Sequence, residues 1–269
     1  MHMETASTLV DSFLSDDVPE LRPRAFDNIR SLYYCQTPVY VPSFNNPTYV
    51  VKMLRQLFRY RFNNITIVDS GSNYSKMKDV LGKLDSDCVC NVVRLSRNMG
   101  PRHIVKSCEF YDSLPELFCL TDPDIAFNEN LPVDFMRQLT DLTDYFKIGK
   151  AGFALSLKHR SRMKHDKYLN SKQMGPTHIW EWESQFWRYK LGRLPDGSEV
   201  FDAPIDTTFA LYNKKYFKPD RFFDAVRVSG NFESEHTPWY QGSVLPAEEE
   251  RVYQRTGKFS NYRPASVQV

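Results

Sequence analysis

Leu117-Phe118-Cys119-Leu120-Thr121-Asp122-Pro123-Asp124 is a short apolar run that stops abruptly in two carboxylates split by one proline. Its length suits an interior strand of a parallel sheet, and such sheets present their working residues at the carboxyl ends of the strands. Asp122 and Asp124 would emerge there. Carboxylates brought to one spot repel each other, which calls for a divalent cation bound through oxygen or a ligand rich in hydroxyls. Asp-Pro-Asp is also good chemistry for a surface turn, so the eight residues leave both readings open.

Working outward, the same unit of strand, polar loop and helix recurs. Pro38 to Phe44 reads as a strand, Asn46-Pro47 as a helix N-cap followed by proline at the first helical position, and Val50, Met53, Leu54, Leu57 and Phe58 as one helical face. Ile65 to Val68 leads through Asp69-Ser70-Gly71-Ser72 to a helix carrying Met77, Val80, Leu81 and Leu84. Val89 to Leu95 leads through Arg97-Asn98-Met99-Gly100-Pro101-Arg102 to a helix with Ile104, Val105 and Cys108. Four such units predict an α/β doubly wound parallel sheet with four polar loops on one edge. Beyond residue 130 the alternation loosens. A helix from Leu131 to Leu142, a strand within Ile148 to Leu157, a loop at 158–176, a helix over His178 to Trp187 and a strand from Thr207 to Tyr212 are expected.

Composition sets further bounds. The chain has 269 residues, enough for one large α/β domain, and its 35 basic against 33 acidic residues include no long basic block to track a phosphate backbone. No nucleic-acid partner is expected. Five cysteines, Cys35, Cys88, Cys90, Cys108 and Cys119, form no CxxC pair and suit a reducing compartment. No apolar run approaches the ~18 residues that span a bilayer, and the amino-terminal stretch lacks signal-peptide regions. A cytoplasmic location follows as the expectation. Contact with an anionic membrane surface is left open by the loop at 158–176 and by Lys214, Lys215 and Lys218. There is no GxGxxG or phosphate-loop pattern, which argues against nicotinamide enzymes and ATPases.

Val41-Pro42-Ser43-Phe44-Asn45, Val68-Asp69-Ser70-Gly71-Ser72, Arg97-Asn98-Met99-Gly100 and Asp122-Pro123-Asp124 together resemble, in order and spacing, the loops of a GT-A glycosyltransferase of the nucleotide-sugar-dependent class that includes the family-two enzymes. The resemblance covers roughly residues 38–240 and implies a Rossmann-like, mostly parallel central sheet with helices on both faces and a smaller acceptor-side elaboration. It implies a lead-in segment at 1–37, a nucleotide-sugar-binding half at 38–130, an acceptor-binding and catalytic half at 131–245, and a tail at 246–269. It further implies a nucleotide-diphosphate sugar donor, UDP-linked by default, a glycan or glycolipid acceptor, and Mn2+ or Mg2+.

Pro42, Ser43, Asn45, Asp69, Arg97, Asn98, Gly100, Arg102 and Asp122 would then bind the donor, with Asp69 at the base or ribose and the arginines forking onto diphosphate oxygens. Asp124, Asp122 and His236, the last in His236-Thr237-Pro238-Trp239, would hold the metal. An inverting transfer also needs a general base. Asp206, at the start of an apolar strand, is the first choice, with Glu181 and Glu183 as rivals because Trp180, Trp182 and Trp187 could form a sugar platform around them. The family's usual acidic residue sits in a Glu-Asp pair at a helix start, a pattern from which Asp206-Thr207-Thr208 departs. The same helix, tryptophans included, could instead be core. A sugar nucleotidyltransferase, or a glycan-binding protein without turnover, is the competing reading.

Overall fold

The four repeats become four parallel strands at one side of a nine-stranded sheet. The computed structural model describes residues 36–164, 167–169, 176–242 and 245–256. The expected lead-in, except for its last two residues, Cys35, and the tail beyond 256 lie outside them. Strands β1 (Val39–Ser43), β2 (Ile65–Asp69), β3 (Asn91–Arg94) and β4 (Leu117–Leu120) alternate with helices α1 (Pro47–Arg59), α2 (Ser75–Ser86), and the short α3 (His103–Lys106) and α4 (Cys108–Ser113). Then follow β5 (Ile125–Phe127), α5 (Phe135–Phe146), β6 (Lys150–Phe153), β7 (Lys167–Leu169), β8 (Pro176–His178), α6 (Ile179–Ser184), β9 (Lys190–Arg193), β10 (Glu199–Asp202), β11 (Ala210–Asn213), β12 (Val226–Val228), β13 (Ser234–His236) and α7 (Ala247–Thr256). The sheet order is β3-β2-β1-β4-β11-β6-β12-β10-β9, in which β11 and β10 run against the other seven.

Period-two alternation splits the core into two layers. Val39, Val41, Ile67 and Cys119 pack with Met53, Leu54 and Leu57 of α1, Met77 and Leu81 of α2 and Leu139 of α5. Val68, Phe118 and Leu120 point the other way, onto Ile104, Val105, Leu114 and Phe217. Helices therefore cover both faces, as expected of the parallel half. Burying side chains such as Leu54 or Phe118 contributes roughly 1.5–3 kcal/mol each, which outweighs the weak preference of any short segment for its own secondary structure.

The later elements are shorter than the sequence pattern predicts. The strand expected within 148–157 is only Lys150–Phe153, the one expected from Thr207 starts at Ala210, and the helix over 178–187 gives way at Gln185 to a 3-10 turn. The loop at 158–176 contains a 3-10 turn and part of the β7–β8 ladder among its described residues. Gly152 explains the tight seam between β6 and β11, because a Cβ there would lie 2.4 Å from Phe209 O. At the start of α1, proline occupies the first turn as expected, but the Asn46 side chain makes no cap. Glu249 of α7 supplies it instead, accepting from Thr48 N (3.1 Å) and Thr48 Oγ1 (2.7 Å).

Candidate functional site

Parallel pairing brings the carboxyl ends of β1, β2, β3 and β4 to one edge, with Ser43 opposite Asp69 and Asp69 opposite Arg94. Antiparallel β11 starts where β4 ends, Ala210 facing Leu120, so its lead-in residues Asp206 and Thr207 arrive at the same edge. Thr207 accepts from Asp122 N through its carbonyl (2.7 Å), and its Oγ1 donates to Asp122 Oδ2 (2.6 Å). The β13–β5 ladder pairs His236 with Ile125 and carries the imidazole to Asp124. Gln56 of α1 fixes that ladder from beneath, donating to Ile125 O (2.9 Å) and accepting from Phe127 N (2.6 Å). These elements enclose a cleft of about 800 Å³.

Of the residues expected from the sequence, Pro42, Ser43, Asn98, Gly100, Arg102, Asp122, Asp124, Asp206 and His236 line this cleft. Burial, followed by the charge of Asp124, pushes the Asp122 carboxyl well above the usual carboxylate range. Asp124 is 6% exposed. Its Oδ1 is buried and accepts no hydrogen bond from a described residue; His236 Nε2 stands 3.5 Å away. Tyr253 Oη approaches Asp124 Oδ2 at 3.4 Å. Burial lowers the His236 imidazole below its ordinary value, with Asp124 opposing the shift, so a neutral ring with a lone pair is favoured. Two carboxylates and a neutral imidazole are the donor chemistry that a hard or borderline divalent cation takes. Among the described residues, no group of three or more His, Cys, Asp or Glu side chains is already arranged as a metal cluster.

Arg102 and Asp206 meet across the cleft. Arg102 Nε donates to Asp206 Oδ1 (2.7 Å) and its Nη2 pairs with Oδ2, a forked geometry. Both side chains remain about one-third exposed, so the pair is screened by water and open to exchange with another anion. The guanidinium also lies over the ring of Phe223 at 4.8 Å.

Other expected site residues stand elsewhere. Asn45 is fully buried with φ +55°; its amide bonds Asn73 and its Oδ1 accepts from Asn73 N and Tyr74 N, both at 2.9 Å. It ties two loops together behind the cleft. Asp69 is consumed by Ser72, whose N and Oγ both donate to it. The exposed Arg97 turns to Met99 Sδ, while its backbone lies 3.0 Å from where a Cβ on Gly71 (φ +73°) would sit. That close approach, with the positive φ, is why glycine is needed there.

Glu181 and Glu183 do not line the cleft either. Glu183 is 1% exposed and bonded to Arg227, away from the cleft, with burial raising its carboxyl to about 7. Glu181 accepts from Thr177 Oγ1 and His178 N at 3.1 Å, closing the start of α6. Trp180 stacks on His178 at 4.3 Å with Arg160 over it, Trp182 meets Phe186, and Trp187 meets Phe201. No tryptophan lines the cleft. Lys214, considered for a membrane surface, donates to Tyr111 O (3.1 Å) and Leu114 O (2.9 Å). Among the described residues no helix is long and apolar enough to cross a membrane, and Cys88, Cys90, Cys108 and Cys119 are all thiols.

Sequence reasoning missed Thr207, Tyr253, His103 and Lys106 as cleft residues. Thr207 adjoins Asp206 and was within reach of the pattern. Tyr253 was not, because nothing local in its segment points to Asp124, 129 residues away.

The sheet with four loops at one edge and helices on both faces has the architecture that the GT-A resemblance implied. No family model matches the chain, and no curated protein matches it. Among solved structures it is similar to the mannosyltransferase PcManGT from Pyrobaculum calidifontis, in complex with GDP-Man and Mn2+, at 10% identity and a TM-score of 0.47, covering 94% of this chain and 68% of that one. It is similar to TarS 1–349 of S. aureus in complex with UDP at 13% identity and 0.41, covering 82% and 63%. A third is GalNAc-T7 with UDP, GalNAc and Mn2+, at 12% identity and 0.46, covering 93% and 53%. The chain thus spans less than two thirds of the last two.

Proposed function

We propose that the protein is a GT-A glycosyltransferase that uses a divalent metal to move a sugar from a nucleotide-diphosphate donor, UDP-linked by default, to a hydroxyl of a glycan or glycolipid. The observation that carries this reading is the meeting of Asp122 and Asp124 at the floor of the strand-end cleft, with one buried carboxylate oxygen accepting no hydrogen bond from any described residue. Asp124, with Asp122 and His236, would hold the ion. A divalent ion there supplies Lewis-acid neutralisation of the departing nucleoside diphosphate.

The chain's own residues do the rest. Arg102 presents a fork matched to phosphate oxygens, with His103 and Lys106 on the same wall of the cleft. Asp206, paired with Arg102 and adjacent to the Thr207 that bonds Asp122, can take a proton from an acceptor hydroxyl once Arg102 engages the donor. Thr207 holds the Asp122 carboxylate in place through its hydroxyl.

The test is a thermal-shift screen of UDP, GDP and their sugars with and without Mn2+. Stabilisation that requires both nucleotide and metal supports the reading. Indifference to every nucleotide diphosphate, with or without metal, overturns it, and pyrophosphate as the released product would assign a nucleotidyltransferase instead.

A further inference from the structure

Three side chains on adjacent strands rise from one face of the sheet beneath the backbone that delivers Asp206. Tyr212 of β11 and Lys150 of β6 are cross-strand partners, and Arg227 of β12 stands opposite Gly152, two residues along from Lys150. All three therefore project to the same side. Arg227 Nε donates to Pro204 O (2.7 Å). Lys150 Nζ donates to Ile205 O (2.7 Å) and also to Phe222 O. Tyr212 Oη lies 3.5 Å from Asp206 O. Each of three successive carbonyls, 204, 205 and 206, thus faces a buried donor.

The arrangement is costly. A cation taken out of water loses its hydration unless partners replace it, and an aliphatic side chain at 150 would fill the same space. Lys150 is wholly buried, with its ammonium 4.0 Å from the Phe222 ring centroid and 5.2 Å from that of Tyr212. Burial lowers it to about 7, Asp206 and Asp224 acting to raise it and Arg227 and Arg102 to lower it further. Arg227 is offset by Glu183. What this construction secures is a segment without regular secondary structure, residues 203–209, that ends at the cleft carboxylate.

We infer that Lys150, Arg227 and Tyr212 are positioning residues that clamp the 204–206 backbone and so fix the Asp206 carboxylate at the cleft. The inference rests on the reading of Asp206 as the acid/base group. A carboxylate that takes a proton must hold its geometry to about half an ångström, and unanchored backbone does not.

The experiment uses the full chain and the UDP- or GDP-sugar that the wild type hydrolyses with Mn2+, comparing Lys150→Met, Lys150→Gln and Asp206→Asn. Both Lys150 variants remove the ammonium that donates to Ile205 O and Phe222 O. In both, kcat should fall roughly ten- to a hundredfold with the donor KM within about twofold. Hydrogen exchange should quicken at 203–208 and stay unchanged in β1, β2 and β4. Lys150→Gln keeps a donor, so it remains informative if Lys150→Met does not fold. A folded variant with unchanged kcat overturns the inference, as does faster exchange spread evenly over the sheet. Full activity in Asp206→Asn removes the acid/base role and this inference while leaving donor binding intact. A wild type that turns over no donor brings down the parent reading as well.

Discussion

Two sets of buried carboxylates in this molecule have opposite surroundings. Glu183 sits beside Arg227, whose guanidinium also reaches Pro204 O, so its charge is met from within the chain. Asp122 and Asp124 face each other with no lysine or arginine among the described residues bonded to either, and with only a threonine hydroxyl, a tyrosine hydroxyl and an imidazole at hand. The first arrangement is complete, whereas the second gains most from a cation brought by solvent or ligand.

The sharpest way to break this contrast is to remove the internal cation. Arg227→Met leaves Glu183 buried and unpaired, and should cost about 3–5 kcal/mol in urea denaturation. A loss below 1 kcal/mol would mean the pair does not anchor the fold. Asp124→Asn should do the reverse, lowering metal-dependent donor turnover at least about a hundredfold while leaving the melting temperature without metal unchanged or raised, since a like charge is gone. Turnover at the wild-type rate would sink the metal assignment.

The contrast is sharpened next by pH. Glu183 titrates at about 7 in the folded chain against an ordinary 4.5. Its protonated form is thus favoured by folding, and that contribution is full below pH 4.5 and lost as pH rises through 7. The slope for one proton is up to about 1.4 kcal/mol per pH unit. Urea melts of the wild type between pH 5 and 8 should show this decline, and Glu183→Gln should flatten it; equal slopes would refute the assignment. The smallest effect expected is at the α1 cap: Glu249→Ala should cost about 1 kcal/mol and weaken Mn2+ binding through loss of the docking of Tyr253. Calorimetry checks the second part, and unaltered affinity would separate α7 from the site.

The parallel half was legible because each strand there lies in an apolar run and the loop that follows carries a turn or cap signal. Asp122, Asp124 and Asp206 stood out as candidates because they are carboxylates at strand ends, and all three line the cleft. Asn45, Asp69, Glu181 and Glu183 do not line the cleft; a polar residue beside a loop serves equally well as ligand contact or as loop tie. Only the position of Ser72, Asn73 or Arg227 decides between them, and those contacts span up to 44 residues. The second half was obscure for a different reason. Strands of three residues such as β12 and β13 show too little alternation to declare themselves, and ladders formed with distant strands hold them in place.

Helix α7 grips the beginning of α1 through Glu249 and the floor of the cleft through Tyr253. One ten-residue segment therefore reports on both the scaffold and the ligand, and a fluorophore attached to its outer side at Arg251 would register Mn2+ arriving at Asp124 without touching a single residue of the cleft.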